Sequence, residues 1–302
     1  MVRFFPSSSL LSILNTHDIP IETANTVSET LTTTRETLLD EGFKWLKKLS
    51  TSGHPESQYF LATFYAADSN YDKAFPLYVL SAKHHHAIAS YEAACCYELG
   101  RGTKKDNSRA VQFYRKAASG GHKRAMYRMG VACITGEIGM RKDVKESLKW
   151  LKRAAAVADS ENPEAVYELA RLFEIGCPPA IHQDESYAAS LYLEAAQLGF
   201  SPAQYKCGVS YEYGKLGLPV APSESLHWFM MGAQAGDPEC QFSLAGWYLT
   251  GAEGVLPQSD LDAYNWVKCA AEKGLPKAEF AMGTHYYLHS PLLTDLSKLK
   301  HT

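Results

Sequence analysis

The stretch Ala165-Val-Tyr-Glu-Leu-Ala170 is one copy of a phrase that returns seven times: small residue, any, aromatic, any, apolar, small. It reads Ser-Gln-Tyr-Phe-Leu-Ala from Ser57, Ala-Ser-Tyr-Glu-Ala-Ala from Ala89 and Ala-Met-Tyr-Arg-Met-Gly from Ala125. Further on it becomes Ala-Gln-Tyr-Lys-Cys-Gly from Ala203, Cys-Gln-Phe-Ser-Leu-Ala from Cys240 and Ala-Glu-Phe-Ala-Met-Gly from Ala278. Successive copies start 32, 36, 40, 38, 37 and 38 residues apart. Intervals of this length mark a helical repeat, in which each unit buries its apolar face only by stacking on its neighbours.

Counting the first small residue as zero, four slots share one side of a helix at about 100° per residue. They are the small residue at 0, the apolar residue at +4, the small residue at +5 and the large residue at +8. Slot +5 holds Ala62, Ala94, Gly130, Ala170, Gly208, Ala245 and Gly283, which marks a close approach by another helix. Gly100, Gly136, Gly176, Gly214 and Gly251 stand at +11, where a left-handed residue ends a helix most cheaply. Asn70, Asp106, Asp143, Asp184 and Ser259 follow as caps for a second helix, with Ala221 the exception. That second helix carries large residues on one turn and small ones on the next, as in Trp228-Phe229 and Gly232-Ala233. Each unit is therefore helix, turn, helix. Trp45 and Gly53 share the spacing of Trp228 and Gly236, so a second helix is predicted over about 29–52, ahead of the first phrase. The phrase at Ala278 opens a first helix.

The expected fold is all-α, a right-handed α-solenoid of tetratricopeptide-like repeats. The expected organisation is a flexible leader over 1–28, a repeat body over 29–290 with about six full repeats and a half repeat at each end, and a tail over 291–302. The chain has 302 residues, 46% hydrophobic and 21% charged, with a net charge of −3. That balance gives no electrostatic reason to expect nucleic acid or an anionic membrane as the main partner. No apolar run approaches the roughly 20 residues that span a bilayer. Pro6 and three serines break the N-terminal apolar stretch, which argues against a secretory signal; its lack of early acidic residues leaves a mitochondrial presequence as an alternative. The seven cysteines are odd in number and lack a Cys-x-x-Cys pair, so a reducing compartment is expected.

No constellation for catalysis stands out. His84-His85-His86 has no adjoining cysteine or carboxylate cluster and is expected at the end of a second helix, where partly charged imidazoles suit the dipole. Cys95 and Cys96 lie inside a first helix with no oxyanion donors in view. Gly100–Lys105 lacks the spacing of a phosphate loop. No cofactor, metal or catalytic residue is expected.

The aromatic stripe at +2 is the better candidate: Tyr59, Tyr91, Tyr127, Tyr167, Tyr205, Phe242 and Phe280. At about 200° it lies away from the buried side. With Arg171 at +6 and Glu98, Glu174 and Glu212 at +9, it forms an inner-surface groove suited to a peptide or helix carrying basic residues. The competing reading packs the +2 rings against the next repeat's first helix. The two are compatible.

The series of Leu-Gly, aromatic, Gly, Asp, Ala, Trp/Tyr and Ala-Ala resembles the Sel1-like repeat over roughly residues 41–290. The run Ala245-Gly-Trp-Tyr-Leu-Thr-Gly-Ala-Glu-Gly-Val-Leu256, then Ala263-Tyr-Asn-Trp266 and Gly274–Met282, is similar to fungal chitin synthase activators. So is the order Ala87–Gly102 followed by Ala110–Gly121. The resemblance implies a non-catalytic scaffold that binds and regulates a chitin synthase, in the cytoplasm and at the septum or bud neck. The chain ends in Lys-His-Thr without a prenylation box, so membrane association through partners is expected rather than an anchor of its own. The alternative is an adaptor in another Sel1-repeat pathway, in ubiquitin ligase assembly or signalling.

Overall fold

The computed structural model describes residues 41–289, so the expected leader and tail lie outside the described residues. The chain divides after Lys105 into two compact units. The first holds a helix over 41–51 (α1), followed by α2 (Pro55–Ala67), α3 (Tyr71–Lys83) and α4 (Ala87–Leu99). The second begins with α5 (Asn107–Ser119), α6 (Lys123–Thr135), α7 (Val144–Ala155), α8 (Glu164–Ile175) and α9 (Glu185–Gln197). It continues with α10 (Ser201–Tyr213), α11 (Pro222–Gln234), α12 (Pro238–Thr250), α13 (Asp260–Glu272) and α14 (Pro276–His289). The architecture is an α-solenoid of helix-turn-helix repeats. First helices are α2, α4, α6, α8, α10, α12 and α14; second helices are the odd-numbered ones. Among the described residues the only extended pairings are the isolated bridges Cys177–Ile181 and Ala252–Leu256, inside interhelix loops.

The core is built from the slots the phrase singles out. Every residue at slot 0 is buried, from Ser57 to Ala278. At +4, Leu61, Ala93, Met129, Leu169, Cys207 and Leu244 are buried too. Slot +5 is small because a second-helix side chain fills the space. A Cβ on Gly130 would come within 2.7 Å of Leu151, and one on Gly208 within 2.6 Å of the Phe229 ring. The same two crossings carry a buried hydrogen bond. Ser147 Oγ donates to the Gly130 carbonyl at 2.7 Å, and Ser225 Oγ to the Gly208 carbonyl at 2.9 Å. Glycine lets the helices approach closely enough for a serine to reach backbone.

The turns follow the predicted chemistry. Gly100, Gly136 and Gly214 end first helices in the left-handed region. Asn70, Asp106, Asp143, Asp184 and Ser259 each accept a backbone N–H of the following helix, while Ala221 caps with none. A recurrent backbone bond fixes these loops whatever their length. The N–H of the cap residue donates to the carbonyl of the +8 residue: Asn70 to Tyr65, Asp143 to Cys133, Asp184 to Phe173, Ala221 to Tyr211 and Ser259 to Tyr248, all at 2.8–2.9 Å.

Two sets of polar residues do work that periodicity does not reveal. Gln58, Gln204 and Gln241 at +1 are buried, and each Nε2 donates at 3.1–3.2 Å to a carbonyl eight residues earlier, at the end of the preceding second helix. They satisfy acceptors a helix terminus leaves open. His54, His86 and His122 are N-caps of first helices, their Nδ1 atoms accepting from Ser57, Ala89 and Ala125 at 3.1–3.3 Å. This corrects the expectation for the histidine run: only His84 ends α3, His85 takes a left-handed turn, and His86 starts α4 as a neutral acceptor. Burial lowers the His86 pKa, the opposite of a charged imidazole favoured by a helix C-terminus.

Candidate partner-binding surface

The +2 aromatics sit at junctions between helices, half in and half out. Tyr59 is half-buried, 6.2 Å from the Tyr78 ring of its own second helix and stacked at 5.0 Å on His86, which opens the next repeat. Tyr167 repeats the arrangement, edge-on to Tyr192 at 5.3 Å and to Phe200 at 5.2 Å. Tyr205 packs 6.0 Å from Phe229, and Lys277 lies over the Phe242 ring at 4.9 Å. Tyr91 and Tyr127 are likewise half-buried, Tyr127 against the core around Leu151 and Val166. Phe280, in α14, is 74% exposed. Tyr59 and Tyr167 thus contact both their own repeat and the start of the next while remaining only half-buried. Burial raises the Tyr59, Tyr127 and Tyr167 hydroxyl pKa values, so these rings stay neutral.

The charged neighbours divide in role. Glu174 is held between repeats: it accepts from Tyr192 Oη and from Lys206 Nζ, each at 2.6 Å, and Lys206 lies over the Tyr192 ring. Burial opposes its ionisation, but those two hydrogen bonds outweigh it and hold the carboxyl below its ordinary range. Arg171 donates through its Nη1 alone to both carboxylate oxygens of Glu168 on its own helix, at 3.0 and 2.9 Å, and is exposed. Glu212 is half-buried beside the exposed Tyr213, whose hydroxyl pKa its carboxylate raises. Glu98 is half-buried near the end of α4. Two of the four charged candidates, Arg171 and Glu212, are therefore presented to solvent without bracing one repeat against another.

Chemistry-bearing side chains elsewhere are spread out. Among the described residues no group of three His, Cys, Asp or Glu is placed to hold a metal ion. The cysteines are free thiols, and burial pushes Cys96 and Cys207 up to about 12 and Cys133 up to about 11, far from the thiolate a nucleophile needs. None of the described helices is long and apolar enough to cross a membrane.

Six tandem matches to the Sel1 repeat model cover residues 55–86, 87–122, 123–158, 163–200, 201–237 and 238–275. The chain belongs to the Sel1 repeat family. The matched units begin at the cap residue of each first helix or one residue after it, as at His54, His86, His122 and Asp237, and each spans one first helix and one second helix. The chain is 38% identical to chitin synthase regulator SKT5 of Saccharomyces cerevisiae, over 68% of its length and 31% of that protein's. It is 42% identical to the protein of the same name from Malassezia restricta, over 69% of this chain and 15% of that one. It is also 32% identical to activator of C kinase protein 1 of S. cerevisiae, over 70% of this chain and 40% of that one. The chain thus spans less than half the length of these relatives. Among solved structures, a Sel1 repeat protein from Oxalobacter formigenes matches with a TM-score of 0.66 and 28% identity, over 74% of this chain and 88% of that one.

Proposed function

We propose that this Sel1 repeat chain is a non-catalytic scaffold that binds and regulates a chitin synthase or a closely associated partner in septum or cell-wall assembly. The observation that carries the reading is the 38% and 42% identity to two chitin synthase regulators, each over about two thirds of this chain. Its surface chemistry agrees with a binding role. Half-buried aromatic rings, Arg171 and Glu212 offer contact area for a partner.

The test is deletion in a fungal source combined with affinity purification. Loss of chitin at the septum and recovery of a chitin synthase or septin-linked partner with the tagged protein are expected. Normal chitin and septa, with neither recovered, would overturn the reading. A second reading, a signalling adaptor, is favoured by the 70% coverage in the alignment to the activator of C kinase protein. It predicts that the tagged protein recovers signalling components and that deletion leaves chitin unchanged.

A further inference from the structure

The net charge of −3 conceals a strong segregation. Between residues 106 and 153 stand twelve Lys and Arg against four Asp and Glu; from 154 to 302 there are eight against eighteen. Part of this positive charge converges on one concavity within the second unit. A cleft of about 610 Å³ is walled by Arg115 of α5, by Arg141 and Lys142 in the loop before α7, and by Lys145 in its first turn. Val111, Met140 and Val144 give it apolar surface, all half-buried, and Pro179 and Ala180 from the following repeat close one side.

Two carboxylates line the cleft, and both are engaged. Asp143 caps α7 by accepting from the Glu146 N–H at 3.0 Å. Glu146 faces Arg115 at 3.8 Å and accepts from Trp150 Nε1 at 3.4 Å. Arg141, Lys142 and Lys145 are exposed, and among the described residues no carboxylate pairs with them. The fold does not require these cations. The corresponding positions one repeat later are His182, Gln183 and Ser186, around an equivalent Asp184 cap. The cleft at that level is lined by two carboxylates, Glu174 and Glu185, with Gln183 and a single cation, Lys215. The preceding repeat keeps two of these cations, as Lys104 and Lys105 before its Asp106 cap, but has Ser108 where this one has Lys145, so the full set of three around an apolar floor is found at this cap and not at the caps on either side.

We propose that this cleft is a docking site for a peptide segment that carries acidic residues beside an apolar one. Charge complementarity selects the acidic groups, and the recessed valines and methionine select an apolar side chain between them. A bilayer suits the site poorly, because its apolar groups lie between the cations and below them. Single-stranded nucleic acid suits it poorly too, because no aromatic ring lines the cleft for a base to stack on. The proposal does not depend on a chitin synthase being the partner.

The test uses the full chain and a fluorescent peptide, Glu-Leu-Asp-Phe-Glu-Leu-Asp, followed by anisotropy. The peptide should bind, and raising salt from roughly 50 to 500 mM should weaken it about tenfold. The variant Arg141→Glu/Lys142→Glu/Lys145→Glu should weaken it at least about tenfold. The control Lys44→Glu/Lys47→Glu/Lys48→Glu changes net charge equally in another basic cluster and should bind within about twofold of the parent. An oligoglutamate of equal length, lacking the apolar residues, should bind several-fold more weakly. Equal losses in both triple variants, equal binding of the oligoglutamate, or tighter binding to an oligo-dT strand or to phosphatidylserine vesicles would each overturn the proposal. Melting curves of both variants, expected to match the parent, separate lost binding from lost fold. Because the assay contains no chitin synthase, its failure would leave the regulator reading untouched.

Discussion

Gly208→Ala sets two well-known effects against each other at one atom. In an exposed helix interior the change stabilises by about 0.8–1 kcal/mol, because alanine has less backbone freedom to lose. At Gly208, however, the new methyl would stand 2.6, 2.7 and 2.9 Å from three atoms of the Phe229 ring. That ring is fully buried, so it has no free space to turn into. Any shift that relieves the clash also stretches the Ser225 Oγ bond to the Gly208 carbonyl, now 2.9 Å. Overpacking costs about 1–3 kcal/mol, and three contacts inside 3.0 Å against a fixed ring place this case in the upper half. The net expectation is a loss of about 1–2 kcal/mol, or a melting point lower by about 2–3 °C at this chain size. Gly246 supplies the control within the same fold. It lies in the first helix α12, is exposed, and a Cβ there meets nothing within 4 Å. Gly246→Ala should therefore raise the melting point by about 1–2 °C. Thermal and urea unfolding followed by circular dichroism read both. The reasoning fails if Gly208→Ala is as stable as the parent, or if both substitutions shift stability in the same direction.

Tyr192→Phe removes a buried hydroxyl that donates to Glu174 at 2.6 Å and should cost about 1.5–3 kcal/mol in unfolding experiments; an unchanged midpoint would show that Lys206 alone suffices. His122 caps α6 as a neutral acceptor, and burial first, then Arg124, lower its pKa to about 4 against an ordinary value of 6.5. Between those values the unfolded chain binds a proton that the folded one refuses, so this cap's contribution is present above about 6.5 and is lost as pH falls toward 4. His122→Asn keeps a capping acceptor without titrating, and the fall in melting point from about pH 7.5 to about 4.5 should be smaller than in the parent; parallel curves would exclude His122 as the cause. Along the groove, Tyr167→Ala should lower the melting point through lost contact with Tyr192 and Phe200, whereas Arg171→Glu/Glu212→Lys should leave it within about 1 kcal/mol while reducing partner capture. Capture unaffected by the charge pair would remove this face from the binding surface.

The repeat was legible because its signals are local and recur. A small residue at 0 and +5, glycine at +11 and an acidic or amide cap each state one geometric requirement, and seven copies average out the exceptions. What escaped were roles that residue type disguises. Glutamine at +1 reads as exposed, yet Gln58, Gln204 and Gln241 are buried because a long amide can reach the open carbonyls of the previous helix. Histidine at the start of three repeats reads as a titrating or metal-binding group, yet Nδ1 is placed for capping much as aspartate is at Asp237. The aromatic stripe illustrates the limit differently. Angle alone put +2 outside the core, but large rings bridge from there to the second helix and to the next repeat. The basic cleft was invisible to the phrase because its cations lie in the loop and first turn that vary from one unit to the next.

Regulation of a chitin synthase by these repeats requires that they bind it and change its activity. The direct measurement is incorporation of N-acetylglucosamine into chitin by fungal membranes stripped of their own regulator, with and without the purified chain, alongside co-sedimentation of the chain with those membranes. The account predicts that the chain sediments with synthase-containing membranes, that incorporation rises with the bound amount, and that membranes lacking the synthase retain none of it. Unchanged incorporation together with equal sedimentation in the absence of synthase would contradict it.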